Sequence, residues 1–308
     1  VEPRSRVAEA QNVAVRRLAP GVFQAPGQHP ARHGSGGLAV EDPELVYAAP
    51  HGGSIDPRRA GCQNGRMPLD VRLFPCLSDN YGFLVRDQVT GAVAAVDTPD
   101  ADAILAELAA SGWGRLDLIL NTHWHPDHTQ GNAALKAATG CEIAGPEEVR
   151  RAAPLDRVLR GGDLVSLGET VLEVSDAPGH TLGHLVYRSP ADRQAFVGDV
   201  LFVMGCGRLF EGSPEQMWSS LRMLAAWPED TVVWCAHEYT ASNARFALTV
   251  DDRPETEARV AGVLAMRERG EPTVPTTIGA EQAFNPFLRA PDAAAFAALR
   301  AAKDGFSG

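Results

Sequence analysis

Three imidazoles and one carboxylate lie within seven consecutive residues of this chain. The four side chains belong to His123, His125, Asp127 and His128. Neutral imidazole and carboxylate oxygen are good ligands for zinc and similar divalent ions. His123 and His125 are two residues apart, so an extended backbone would point both rings the same way. The spacing differs from the helical H-E-x-x-H pattern, and we interpret the segment as a metal site built on a loop.

The elements that must position these ligands are strands whose ends meet at one edge of a sheet. The motif follows an apolar run at 116–120, which we interpret as a buried strand. Seven residues cannot supply enough ligands for two ions, so further ligands are expected downstream. Three polar side chains also follow β-like apolar runs, and these are His180, Asp199 and His237. His184 is interpreted as a structural partner of the site.

The pattern H-x-H-x-D-H, followed by separate His, Asp and His residues at strand ends, resembles the metallo-β-lactamase superfamily. The resemblance implies an α+β fold, a four-layer αβ/βα sandwich, with two metal ions at one edge. It implies that one ion is held by His123, His125 and His180, that the other is held by Asp127, His128 and His237, and that Asp199 bridges both.

Four further segments resemble the glyoxalase II family, the hydroxyacylglutathione hydrolases. They cover residues 73–81, 205–212, 237–240 and 285–289. This resemblance implies a small all-helical C-terminal domain and hydrolysis of S-2-hydroxyacylglutathione, such as S-D-lactoylglutathione, to glutathione and D-lactate in methylglyoxal detoxification. It also implies substrate contacts from Arg208, Phe210, Tyr239, Arg300 and Lys303. Phe210 replaces a tyrosine of some relatives, which would remove one hydroxyl contact.

The implied chemistry uses metal-activated water as the nucleophile, with Asp127 and Asp199 as catalytic carboxylates. The expected cofactors are two divalent ions, with Zn²⁺ favoured and Fe or Mn as alternatives. A glutathione persulfide dioxygenase that uses one iron, or another hydrolase of the same fold, is the alternative enzyme. A metal-binding or glutathione-binding module without catalysis is the non-enzymatic alternative.

Composition limits the partners of the chain. The net charge of −11 argues against nucleic acid, because that partner requires a basic surface. No apolar run approaches the ~20 residues that span a bilayer, so we expect no membrane partner. The five cysteines are scattered and lack C-x-x-C pairing, which favours reduced thiols. We expect a cytoplasmic monomer that acts on a small molecule.

The chain is predicted to have three parts. Residues 1–66 contain seven Pro and nine Gly, which is typical of a disordered extension. One hypothesis places the native start at Met67, and the rival is a targeting segment. Residues 67–237 are the predicted catalytic domain, and 238–308 the predicted helical substrate-binding domain. Helices are expected at 101–110, 132–139, 213–226, 241–250, 254–269 and 291–302.

Overall fold

The computed structural model describes residues 69–308, together with two short strands, β1 (Tyr47–Ala48) and β2 (Ser54–Ile55), which pair antiparallel. The described residues from Leu69 onward, with every element from β3, belong to one compact unit. The rest of the predicted extension at 1–66 lies outside the described residues. Among the described residues, no helix is both long enough and apolar enough to cross a membrane.

Two six-stranded mixed sheets form the centre of this unit. The first sheet has the strands β3 (Asp70–Cys76), β4 (Asn80–Arg86), β5 (Val93–Val96), β6 (Leu118–Leu120), β7 (Glu142–Gly145) and β8 (Arg157–Val158), in that spatial order. Strands β3 to β5 pair antiparallel, and β5 to β8 pair parallel.

The second sheet has the spatial order β16–β15–β12–β11–β10–β9. Its strands are β9 (Leu164–Leu167), β10 (Thr170–Asp176), β11 (Leu185–Ser189), β12 (Gln194–Gly198), β15 (Val232–Cys235) and β16 (Thr276–Thr277). Between β12 and β15 in the chain, β13 (Leu201–Phe202) and β14 (Gly205–Cys206) form a separate antiparallel hairpin. Only β12 and β15 pair parallel in this sheet.

Helices flank the two sheets and fill the C-terminal part. They are α1 (Ala101–Ala110), α2 (Pro126–Thr129), α3 (Asn132–Thr139), a 3-10 helix (Glu147–Arg151), α4 (Pro214–Ala225), α5 (Thr240–Ala247), α6 (Pro254–Glu268), α7 (Ile278–Phe284) and α8 (Ala293–Asp304). Helices α1 and α3 therefore have the bounds predicted from the sequence.

Alternation along the strands divides the core. Successive side chains of a strand point to opposite faces, so Leu84 packs in the cluster that contains helices α1 and α3, whereas its neighbour Phe83 packs between the sheets. The Phe83 ring lies 5.9 Å from that of Phe196 on β12, which joins the two sheets. The resulting order of helix, sheet, sheet and helix is the predicted four-layer α+β sandwich.

The C-terminal part is helical, as predicted, and it also adds one two-residue strand to the second sheet. Thr276–Thr277 add β16 to the edge of the second sheet by pairing with Val232 and Val233 of β15. A two-residue strand has no periodicity of its own, and its pairing is decided by a strand more than forty residues earlier. Helix α7 was also not predicted, because seven residues give too short a pattern. The boundary at 237/238 stays a prediction.

Candidate metal centre

All of the predicted ligands lie beyond the ends of strands, at one edge of the two sheets. His123 and His125 follow β6, and α2 then places Asp127 and His128 in a single helical turn with Pro126 at its start. The sequence predicted a site built on a loop, and the structure gives these two residues helical conformation. Within the second sheet, His180 lies between β10 and β11, Asp199 follows β12 and His237 follows β15.

The first cluster joins three imidazoles and one carboxylate oxygen. His125 Nδ1 lies 3.0 Å from His123 Nε2 and 3.0 Å from His180 Nε2. His180 Nε2 lies 3.3 Å from Asp199 Oδ2. The two histidines of the motif and the histidine from the second sheet therefore converge, as the sequence predicted.

The second cluster uses the other oxygen of Asp199. His128 Nε2 and His237 Nε2 are 3.3 Å apart, and each lies 3.4–3.5 Å from Asp199 Oδ1. Asp127 Oδ2 lies 3.5 Å from His128 Nε2 and 3.4 Å from His237 Nε2. Asp199 thus presents one oxygen to each cluster, which is the bridging position that the resemblance implies.

The donor set fits two divalent cations. Asp199 Oδ1 is buried and has no hydrogen-bond partner, although buried polar atoms are normally satisfied. His125 Nδ1 faces two other ring nitrogens at hydrogen-bond distance, and one ring nitrogen carries only one proton or one lone pair. A cation accommodates several converging lone pairs at once. Three groups of side chains could each hold a metal ion: His123, His125 and His180; Asp127, His128 and His237; and His123, His128 and Asp199.

The second ring nitrogen of four histidines is held by a fixed partner. The distances are 3.0 Å from His123 Nδ1 to Thr122 Oγ1, 2.9 Å from His128 Nδ1 to Asp97 Oδ2, 2.8 Å from His180 Nδ1 to the Arg208 carbonyl oxygen and 2.9 Å from His237 Nδ1 to Asp79 Oδ1. Such partners fix the tautomer and the orientation of a metal-binding imidazole. Each of these rings is therefore directed at the centre.

Sequence reasoning assigned no role to Asp97, Thr122, Asp79 or Asn80. Asp97 accepts hydrogen bonds from the backbone N–H and the hydroxyl of Thr122, both at 2.7 Å. Asn80 Nδ2 donates to Asp127 Oδ2 at 3.1 Å. A signal for Asp97 was present, because it directly follows the apolar strand β5, as Asp199 follows β12.

Local charges and burial favour the ligand forms of Asp199 and His123, and they surround His128 with negative charge. Burial alone would raise the pKa of Asp199. The neighbouring His237 and His128 lower it by more, so its pKa lies well below the usual range. Burial and the neighbouring imidazoles both lower the pKa of His123. Burial lowers the pKa of His128, but Asp199 and Asp97 raise it well above its ordinary value. Surroundings that stabilise a proton on His128 also suit a metal cation.

His184 supports the centre without belonging to any ligand group. Its Nε2 accepts the backbone N–H of Asp199 at 3.2 Å. Its ring stacks on His123 with a centroid distance of 4.8 Å and an interplanar angle of 21°. These contacts agree with the structural role predicted for His184.

Two aromatic side chains flank the clusters on opposite sides. Phe210 is 62% exposed, and its ring lies 5.5 Å from that of His125 and 5.2 Å from that of His180. Tyr239 stacks parallel to His237 at 4.7 Å. The predicted substrate-contacting residues Phe210 and Tyr239 therefore lie next to the first and second clusters, respectively.

The three predicted cationic contacts form one group with Asp304. Arg208 is exposed, and its Nε lies 3.6 Å from Asp304 Oδ1. Lys303 Nζ donates to the carbonyl oxygen and hydroxyl of Ser242, at 3.1 and 2.7 Å. Arg300 is 5% exposed and donates to Asp304 and to the Cys206 carbonyl oxygen at 2.9 Å. Arg300 thus has a structural role, and its substrate contact stays a prediction.

Comparison with known families agrees with this geometry. A family model described as the metallo-beta-lactamase superfamily matches residues 94–237, and one described as hydroxyacylglutathione hydrolase C-terminus matches 238–306. A hydroxyacylglutathione hydrolase of Erythrobacter litoralis is 50% identical over 253 residues, covering 77% of this chain and 100% of that protein. Another, from Maricaulis maris, is 52% identical over 233 residues, covering 75% of this chain and 91% of that protein.

Solved structures support the same fold. The crystal structure of ETHE1 from Myxococcus xanthus matches with a TM-score of 0.59 and 25% identity, covering 75% of this chain and 90% of that one. The BLEG-1 B3 metallo-beta-lactamase matches with a TM-score of 0.56 and 21% identity, covering 71% and 99%. The two family models and the relatives at about half identity together show that this chain belongs to the hydroxyacylglutathione hydrolase family of the metallo-beta-lactamase superfamily.

Proposed function

We propose that this enzyme hydrolyses S-2-hydroxyacylglutathione thioesters, with S-D-lactoylglutathione as the reference substrate, and that it uses two divalent metal ions, zinc first among them. The observation that carries the proposal is the pair of clusters that share Asp199, beside a cationic group supplied largely by the C-terminal helices. Water adds to the acyl carbon, the carbon–sulfur bond breaks, and the products are a 2-hydroxy acid and glutathione.

The metal ions, when bound, lower the pKa of coordinated water to about 7 and polarise a carbonyl oxygen. Asp127 is suited to orient the attacking water and to take its proton, because its side chain is 39% exposed while Asn80 holds Oδ2. Asp199 is nearly buried between the clusters, which fits it to hold both ions in place. Asp127 is therefore the side chain that we propose as the base that accepts a proton from the attacking water.

The cationic group explains how an acidic protein can bind an anionic substrate. Glutathione carries carboxylates, and Arg208 and Lys303 are the cations of this group that reach the surface, whereas Arg300 is buried behind them. Burial is the main cause that lowers the pKa of Lys303, and the positive charges of Arg300 and Arg208 lower it further, so the three cations act on one another. We propose that Arg208 and Lys303 bind substrate carboxylates, that Arg300 supports them, and that Tyr239 and Phe210 border the thioester.

The decisive experiment combines turnover with metal analysis of one sample. Purified chain is expected to hydrolyse S-D-lactoylglutathione, followed by the loss of thioester absorbance, with two bound ions per active chain. Removal of the ions should abolish turnover, and zinc should restore it. No turnover in a sample that holds two ions would contradict the proposed substrate, and full activity without metal would contradict the proposed site.

The persulfide dioxygenase alternative predicts oxygen consumption with glutathione persulfide and one iron per chain. The second cluster argues against this alternative, because Asp127, His128 and His237 converge as fully as the first three histidines.

We also propose that the protein is a cytoplasmic monomer. The four described cysteines are all free and buried, which is compatible with a reducing compartment. Size-exclusion chromatography with light scattering would test the monomer.

A further inference from the structure

The Glu211 carboxylate contacts two of the backbone segments that build the first cluster. Its Oε1 accepts hydrogen bonds from Trp124 Nε1 and from Arg151 Nη1, both at 2.9 Å. Its Oε2 accepts the backbone N–H of Leu182 at 3.0 Å. Three donors from three separate segments therefore meet on one side chain, and none of these residues is a metal ligand.

The positions of two of these donors connect Glu211 to the ligands. Trp124 is the residue between His123 and His125, and Leu182 is two residues after His180. The first cluster takes two imidazoles from the segment with Trp124 and one from the segment with Leu182. Glu211 thus joins the two segments whose separation decides whether the three ring nitrogens converge.

The backbone on either side of Glu211 is fixed against the His180 segment. Phe210 donates its N–H to the His180 carbonyl oxygen at 3.3 Å, and Gly212 donates to that of Gly179 at 3.1 Å. A Cβ atom on Gly212 would lie 2.6 Å from Gly179 Cα, so this close approach requires glycine. Glu211 therefore extends from a backbone that is itself bonded to the ligand loop.

The chemistry of the contacts requires an ionised carboxylate. Trp124 Nε1, Arg151 Nη1 and Leu182 N can only donate, and a carboxylate offers two accepting oxygens. Burial raises the pKa of Glu211, but these three donors lower it by more, so the group is held ionised. A glutamine of the same shape would direct an NH₂ group at one of the donors and lose at least one contact.

A second carboxylate holds the same loop from the other side. Glu148 accepts from Thr181 Oγ1 at 2.6 Å and from the Gly183 backbone N–H at 2.7 Å. Residues 181–183 are therefore bonded one after another to Glu148, Glu211 and Glu148. The two hydrogen bonds of the Glu148 carboxylate go to this loop, whereas Glu211 also bonds the residue between His123 and His125.

We propose that Glu211 is a positioning residue for the three-histidine metal site: by binding Trp124 and Leu182 together, it sets the separation of the His123–His125 segment from His180. The inference rests on the proposed function, because it requires that the first cluster hold an ion. It makes Glu211 a determinant of metal affinity at one of the two sites.

The test measures the two stepwise zinc dissociation constants of the full chain by competition with a chromogenic chelator, after the protein has been stripped of metal. His237→Ala removes a ligand of the second cluster only, so the step that remains reports the three-histidine site. When Glu211→Gln is added to His237→Ala, zinc binding at the three-histidine site is expected to weaken by about 10- to 100-fold, the range for partners of metal ligands. In the chain that keeps His237, Glu211→Gln is expected to leave the dissociation constant of the second cluster unchanged. Glu147→Gln is the matched control, because Glu147 is exposed on the same 3-10 helix as Arg151 and pairs with Arg150.

A second variant separates positioning from a general loss of stability. Trp124→Phe removes the indole N–H, and its effect on the three-histidine step should be smaller in a Glu211→Ala background than in the wild type, because Glu211→Ala already removes the acceptor of that N–H. Unchanged zinc constants in Glu211→Gln, or an equal loss at both sites with a lowered melting temperature, would overturn the proposal. A wild-type chain that binds no zinc would overturn the proposed function itself.

Discussion

Asp199 is the one described side chain whose two carboxylate oxygens face different ligand clusters. Oδ2 faces His180, and the unbonded Oδ1 faces His128 and His237. Loss of any other single predicted ligand would weaken one cluster, whereas loss of Asp199 would leave both clusters incomplete. We therefore expect the centre to be more sensitive to the loss of this residue than to the loss of any single histidine.

Asp199→Ala is expected to lower bound metal from about two ions to below one per chain and to reduce kcat/KM by more than the roughly 100-fold seen for partners of metal ligands. Plasma mass spectrometry and thioester hydrolysis measure the two effects. Glu173→Gln, which removes a carboxylate paired with Arg188 on the surface of β10, serves as the control. Two retained ions in Asp199→Ala would show that Asp199 is not a bridging ligand.

The charge of Lys303 should make substrate affinity depend on pH. Burial, Arg300 and Arg208 lower the pKa of Lys303 to about 8. The lysine is therefore cationic below pH 8 and loses its charge as the pH rises through that value. If Lys303 binds a substrate carboxylate, KM rises over this interval while kcat changes less, as expected for a contact equal in ground and transition states.

Lys303→Met should raise KM at pH 7 by about fivefold, which corresponds to an exposed ion pair, and should remove the rise in KM near pH 8. Steady-state kinetics from pH 6.5 to 9 would measure both changes in KM. Any effect of substrate ionisation on KM would be the same in all variants, so a comparison between variants removes it. Lys136→Met is the control, because Lys136 is the chain's other lysine and pairs with Asp156 from its position on α3. A fall in kcat alone would contradict the anchoring role.

At the scale of the elements, helix α4 shows how far local sequence specifies structure. The sequence predicted a helix at 213–226, and the structure begins it with a capping box in which Ser213 and Gln216 exchange two hydrogen bonds, with Pro214 at the first helical position. Ser213→Ala should therefore destabilise the fold by about 1 kcal/mol, measured by urea unfolding. The exposed Ser219 lies in the same helix without a capping role, so an equal loss in Ser219→Ala would contradict this explanation.

Ligand placement was predictable where strand ends were visible in the sequence. His180, Asp199 and His237 each follow an apolar run, and the structure brings all three to the motif. The partners of the rings were less visible, because Asp97 and Asp79 are separated from His128 and His237 by 31 and 158 residues. Single strand-end carboxylates are common, and only the three-dimensional pairing distinguishes these two.

At the scale of the whole molecule, the C-terminal helices share the main core with the sheets. Phe246, Val260 and Phe296 belong to the same cluster of buried residues as Phe196. Asn285 Nδ2 donates to the carbonyl oxygens of Phe202 and Gly205, at 3.2 and 2.9 Å. Such contacts join residues some eighty positions apart, and a sequence pattern read locally does not reveal them. They explain how helix α8 can place Lys303 beside Arg208 with a fixed separation.

Metal removal should lower the stability of the whole compact unit, because the ligands extend from both sheets. An ion that binds only the folded chain, at a free concentration one hundred times its Kd, contributes about 2.7 kcal/mol. At roughly 2–4 °C per kcal/mol for a domain of this size, stripping both ions should lower the melting temperature by about 10–20 °C. Differential scanning calorimetry before and after chelation measures the shift, and added zinc should reverse it. Asp199→Ala should respond far less to chelation, since it has little metal to lose; an equal response would show that the stabilising ions bind elsewhere.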